Sequence, residues 1–156
     1  MTLYKKTQYG KLITGIISIV AISIATLFIL QTGSNPIPLS VLVILMLLFL
    51  LIGLTFYKLT ITIDSKKIEA KFGIGLLKHS LKIKDINYDS IENINTPALY
   101  GIGIRLTPHG LLYNVSTGSA IKIKSNSKTF FVGTDDFDTI HAVLLRLKKY
   151  HKKSYY

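Results

Sequence analysis

The sequence predicts an α+β protein: a two-helix transmembrane hairpin, then an antiparallel β-domain of seven or eight strands, capped by one C-terminal helix. Three observations carry this expectation. Two apolar runs, Leu12–Leu30 and Ile37–Tyr57, contain no charged residue. Beyond Lys58, apolar and polar residues alternate with period two, the mark of half-buried strands. From Phe137 the period turns helical, with Phe137, Ile140, Leu144 and Leu147 at steps of three, four and three. The chain divides accordingly into a basic N-terminal segment (1–11), a hairpin (12–57, spans 12–30 and 37–57), a β-domain (58–147) and a basic aromatic tail (148–156).

The hairpin is the clearest element. A helix rising about 1.5 Å per residue needs about 20 apolar residues to cross a hydrocarbon core about 30 Å thick, and both runs have that length. Lys5, Lys6 and Lys11 resemble the basic start of a signal peptide. The run that follows is longer than the roughly 7–15 apolar residues of such peptides, and a second span begins almost at once, so it reads as an uncleaved anchor. Tyr4 and Tyr9 stand where an interfacial aromatic belt belongs. The link Gln31–Pro36 has no Lys or Arg, whereas both flanks do. Positive charge stays inside, which predicts cytoplasmic termini and an external link. Gly33, Asn35, Pro36 and Pro38 suit a tight turn. Gly15, Ser18, Ala21, Ser23 and Ala25 are small residues that let helices approach closely.

The β-domain follows from alternation and turn chemistry. Leu59–Ile63 and Lys67–Phe72 alternate around the turn Asp64-Ser65-Lys66. A third strand fits Leu77–Ile83, with Lys82 and Lys84 facing outward, and a fourth fits Ile86–Glu92. Asn93–Leu99 breaks the pattern and reads as loop. Ile102, Ile104 and Leu106 share one face of the next strand. Thr107-Pro108-His109-Gly110 turns it into Leu111–Val115. Ala120–Lys124 alternates again, Ser125–Lys128 turns, and Thr129–Val132 closes the last hairpin. Thr134, Asp135 and Asp136 supply caps and negative charge at the start of the final helix, and Arg146, Lys148 and Lys149 supply positive charge near its end.

The formal net charge is +11, from 19 Lys and Arg against 8 Asp and Glu. A basic surface suits anionic lipid headgroups, nucleic acid or an acidic protein face, and a domain tethered to a bilayer meets lipid first. The chain has no cysteine, so disulfides, thiolate metal ligands and Cys lipidation are excluded within it.

The ordered motifs Phe72-Gly73-Ile74-Gly75-Leu76-Leu77, Asp85-Ile86, Tyr100-Gly101-Ile102-Gly103-Ile104-Arg105, Thr107–Val115 and Gly133-Thr134-Asp135-Asp136 resemble the bacterial PH-domain (pleckstrin-homology-like) family of small membrane proteins. The resemblance spans about Tyr57–Leu147. It implies a bent sheet plugged by the C-terminal helix and a setting in the bacterial inner membrane. It supplies no catalytic residues and no ligand.

No constellation points to a reaction. Gly73/Gly75 and Gly101/Gly103 lack the third glycine of a dinucleotide fingerprint. His79, His109, His141 and His151 have no ligand spacing. Asp135, Asp136 and Asp138 are accounted for by helix capping, and Ser116 and Ser119 lack a partnered base. The expectation is a non-enzymatic binding or scaffolding module at the inner leaflet, with no cofactor, metal or nucleic acid. Its partners would be the bilayer, anionic lipid headgroups and an unidentified protein. The alternative is an accessory subunit of a larger transport or envelope-stress complex. Candidate contacts are Arg105, Lys122 and Lys124, read as outward on strands that could be neighbours, and the tail cluster Arg146, Lys148, Lys149, Lys152 and Lys153.

Overall fold

The computed structural model describes residues 2–31, 36–125 and 128–153, the last three of these as backbone alone. Residues 32–35, which hold most of the inter-helix link, and Asn126 and Ser127 of the last turn lie outside the described residues.

Among the described residues, the main elements follow in this order: β1 (Thr2–Tyr9), α1 (Lys11–Ile29), α2 (Leu39–Phe56), β2 (Lys58–Asp64), β3 (Lys67–Phe72), β4 (Lys78–Lys82), β5 (Glu92–Thr96), β6 (Gly103–Thr107), β7 (Gly110–Asn114), β8 (Gly118–Lys124), β9 (Thr129–Gly133) and α3 (Phe137–Lys153). Both apolar runs are helices long and apolar enough to cross a membrane. None of α1 is buried against protein, and of α2 only Thr55 is. Apart from half-buried positions such as Ile17, Ala21 and Met46, their apolar side chains are exposed.

The strands form two sheets. One runs β1-β2-β3-β4, wholly antiparallel, and the other runs β5-β8-β9-β7-β6. In the second, β7 and β9 meet in parallel through the pair Tyr113 and Val132. One core lies between the sheets. Leu59, Ile61 and Ile63 of β2 enter it from one side with Ile68, Ala70 and Phe72 of β3; Ile121, Ile123, Phe130 and Val132 enter from the other. The stripe on α3 closes it, with Ile140 and Leu144 fully buried and Leu147 nearly so. A smaller cluster, Leu112, Ala120 and Phe131, fills the opposite face of the second sheet under Ile94 and Tyr100.

Three sequence readings change. The segment 1–11 is not a free basic N-terminus, because Thr2–Tyr9 is the edge strand of the first sheet, paired along β2. Its inward positions Tyr4, Lys6 and Gln8 are polar, so no apolar alternation marks it. Each instead reaches a partner at the start of α3: Tyr4 Oη donates to Asp136 at 2.8 Å, Lys6 pairs with Asp135 at 2.8 Å, and Gln8 donates to the Gly133 carbonyl at 2.9 Å. The stretch Ile86–Glu92 is mostly not a strand. It holds the 3-10 turn Tyr88–Ser90, and the strand begins at Glu92 and runs through the asparagines to Thr96. Among the described residues there are nine strands; the eight after the hairpin fit the seven or eight expected there, and β1 adds the ninth. Lastly, α3 continues to Lys153, so residues 148–153 are helix rather than a tail beyond it.

A helix–sheet junction and a basic sheet face as candidate interface

The hairpin grows out of two adjacent strands. Only Gly10 separates β1 from α1, and only Tyr57 separates α2 from β2. Gly10 N–H donates to the Tyr57 carbonyl at 2.8 Å, extending the β1–β2 ladder to the helix ends. A Cβ on Gly10 would lie 2.8 Å from the Phe56 carbonyl oxygen, so only glycine fits this approach without displacement.

The β3–β4 loop, residues 73–77, seals the same joint. The last carbonyls of a helix lack intrahelical donors. Here Ile74 N–H donates to the Leu54 carbonyl at 3.2 Å, and Gly73 N–H donates to Lys58 at 2.8 Å. Gly73 has φ +45°, and a Cβ there would stand 1.9 Å from the Leu54 oxygen. Rings carry the contact inward. Phe56, the last residue of α2, packs edge-on to Phe72 at 5.3 Å; Phe72 meets Tyr113 at 6.2 Å; Tyr113 stacks on His79 at 4.8 Å; and His79 stacks on Phe130 at 5.4 Å. This file of rings ties the second helix to both sheets.

The outer face of the first sheet is basic. The registers Lys5↔Thr62↔Glu69↔Ser80, Thr7↔Thr60↔Lys71↔Lys78 and Lys67↔Lys82 place Lys5, Lys67, Lys71, Lys78 and Lys82 on one face, with Lys58 one rung nearer the helices. The acidic residue among these rungs is Glu69. Burial pushes its carboxyl up, but hydrogen bonds from Lys67 and Lys71 outweigh that and hold it below the usual range. Lys71 stands 3.1 Å away, and both lysine stems cover it, leaving Glu69 only 5% exposed.

At the far end of this face a pocket of about 490 Å³ is lined by Asp64, Ser65, Lys66, Lys67, Lys82 and Lys84. Asp64 is committed to the turn: its Oδ1 accepts from the backbone of Lys66 at 2.6 Å and of Lys67 at 2.9 Å, and these bonds lower its pKa. The ammonium groups of Lys66, Lys82 and Lys84 have no ion-pair partner among the described residues. The β2 strand between junction and pocket is seven residues, about 20 Å at about 3.3 Å per residue.

The residues singled out from sequence do not gather. Arg105 lies on the edge strand β6, its Nε donating to the Ile102 carbonyl at 3.0 Å. Lys122 and Lys124 lie on β8, and β9 and β7 stand between them and β6. Lys122 is 9% exposed and reaches Glu92 at 3.9 Å, so it is a paired interior cation rather than a free contact. Arg146, Lys148 and Lys149 are exposed on α3. Lys148 is occupied by the domain, 3.7 Å from Asp89 and over the Tyr88 ring at 5.2 Å. Lys152 and Lys153 are helical, and their side chains lie outside the described residues. The end of α3 thus meets the turns that follow the end of β4 remote from the hairpin. The six-lysine face was missed because it belongs to no single stretch. The alternating lysines of β3 and β4 were visible, but their shared face needed the pairing register.

Among the described residues no group of three or more His, Asp or Glu comes together as a metal cage. Comparison of the chain with protein-family models, with curated proteins and with solved structures finds no match.

Proposed function

We propose that the chain is a non-enzymatic, multi-pass protein of the bacterial inner membrane, with both termini cytoplasmic, whose PH-like domain is a binding or scaffolding module held at the leaflet. The observation that carries this reading is the joint. Two spans leave neighbouring strands through single residues, so the domain has no slack linker and keeps a fixed stance on the bilayer. The PH-like reading is supported by two antiparallel-rich sheets around one core closed by a C-terminal helix.

That stance divides the basic face. Lys11, Lys58, Lys71 and Lys78 sit by the joint, where anionic headgroups attract each Lys by about 1 kcal/mol. The pocket of Lys66, Lys82 and Lys84 lies about 20 Å further out on the β2 rise, beyond the screening length of about 8 Å at physiological salt. Its partner is therefore a cytoplasmic acidic segment rather than the leaflet. The reading as an accessory subunit draws on a different feature: an apolar groove of about 380 Å³ between α1 and α2, lined among others by Ser18, Ala21, Met46 and Gly53, where a further helix would pack.

The test uses the full chain in nanodiscs of neutral lipid and a fluorescent Glu-rich peptide, read by anisotropy. Binding should weaken with salt, and replacing Lys66, Lys82 and Lys84 by Gln should remove most of it. Undiminished binding by the triple variant would refute the pocket as the partner site.

A further inference from the structure

The β3–β4 loop carries two large apolar side chains in the open, Ile74 at 58% and Leu76 at 60% exposure. We propose that this loop is a third membrane-seated element, dipping Ile74 and Leu76 into the border between headgroups and acyl chains of the leaflet that α1 and α2 enter. The inference rests on those helices being spans.

Four observations set the depth and choose lipid as the occupant. The first is level. Ile74 N–H is bonded to the Leu54 carbonyl, and Leu54 lies inside the last turn of α2, two residues before its end. If α2 spans the bilayer, the loop shares the depth of that turn. The second is composition. From Phe72 to Leu77 there is no charged residue, and Lys71 and Lys78 flank the loop as a cross-strand pair. Apolar residues below and lysine stems that carry ammonium groups back to water are the pattern of an interfacial anchor.

The third is the backbone. An unpaired amide taken out of water is costly, and loops are normally kept from lipid for that reason. Here four successive N–H groups are already satisfied: Phe72 to Leu77, Gly73 to Lys58, Ile74 to Leu54 and Gly75 to Phe72. The fourth is conformation. Gly73 and Gly75 take φ of +45° and +96°, which folds the loop tightly and leaves Ile74 and Leu76 projecting. The seat fixes the roll of the domain about the hairpin and gives the basic face a defined tilt to the leaflet.

The chain contains no tryptophan, so one introduced indole reports alone. The full chain is reconstituted in vesicles whose lipids carry bromine at defined acyl depths. Ile74→Trp and Leu76→Trp each replace an exposed side chain, so two independent variants guard against a folding failure in one. Leu50→Trp marks the span, and Leu106→Trp, at 87% exposure on the β6 edge, marks solvent. The expected result is blue-shifted emission at positions 74 and 76, with several-fold stronger quenching by shallow bromines than at 106. If 74 and 76 quench like 106 while 50 is quenched, the loop inference fails and the spans stand. Blue-shifted emission without quenching means a protein surface or a second copy covers the loop, which also overturns it. If 50 escapes quenching, the spanning reading itself fails and takes the loop with it.

Discussion

Replacing Gly73 by alanine should loosen the β-domain from the second helix, and its size can be worked from the joint. The added Cβ would lie 1.9 Å from the Leu54 oxygen and 2.6 Å from the Thr55 oxygen, both backbone atoms that cannot swing aside. The left-handed conformation itself costs a non-glycine residue about 1–2 kcal/mol. Relieving the clash moves the loop and forfeits the Gly73–Lys58 and Ile74–Leu54 hydrogen bonds, about 1 kcal/mol each. The expected loss is therefore about 3–4 kcal/mol. Gly75→Ala is the matched control: φ is also positive, at +96°, but nothing lies within 4 Å of its Cβ. It should lose only the conformational part, about 1–2 kcal/mol. Denaturant unfolding of the full chain in micelles, followed by near-ultraviolet circular dichroism of the tyrosines, measures both. A difference between the two variants under about 0.5 kcal/mol would show that the loop is not pressed against α2.

Two further outcomes are expected. Leu144→Ala removes a fully buried side chain from the closing helix and should cost about 2–5 kcal/mol in the same assay; a change under about 0.5 kcal/mol would mean α3 does not plug the core. The Tyr4–Asp136 bond should give stability a plateau in pH. The Thr139 hydroxyl, Tyr4 and Lys6 hold the Asp136 carboxyl below its ordinary range, while burial and then Asp136 push the Tyr4 phenol up. The carboxyl's contribution is complete above the ordinary carboxylate pKa of about 4 and is lost as pH falls through its lowered value. The phenol's contribution is complete below about pH 10 and is lost as pH rises through its raised value. The stability gap between the parent and Tyr4→Phe should be constant between those limits and shrink outside them. A gap unchanged at strongly acid pH would contradict the pairing.

What could be read from sequence follows from how each segment is buried. The strands β2 and β3 face one core on one side and water on the other, so Leu59, Ile61 and Ile63 announced themselves against Thr60 and Thr62. The α3 stripe was legible for the same reason. Strand β1 was not, because Tyr4, Lys6 and Gln8 point inward as polar groups whose partners lie more than a hundred residues away. Strand β5 was hidden by its asparagines, since its ladder to β8 is made by the backbone whatever the side chains. The candidate cations fared unevenly. Arg105 and Lys124 are exposed as expected, but strand order separates them, and Lys122 is held inside beside Glu92. Strand order and register are long-range facts, and alternation in one strand does not encode them. The pairing of β1 with β2 also bears on fragments: a chain begun at Lys58 would lack the edge strand and its ladder.

If α1 and α2 both cross the bilayer, as we propose, they leave one sheet and return to it, so the link and the β-domain lie on opposite sides. The chain has no cysteine, so a single introduced thiol can be mapped without background. Ser34→Cys lies in the link and Ser65→Cys in the exposed β2–β3 turn. In intact cells an impermeant maleimide should label position 34, and position 65 only after the membrane is opened. Labelling of both positions in intact cells, or of neither until the membrane is opened, would place them on one side and rule out a spanning hairpin.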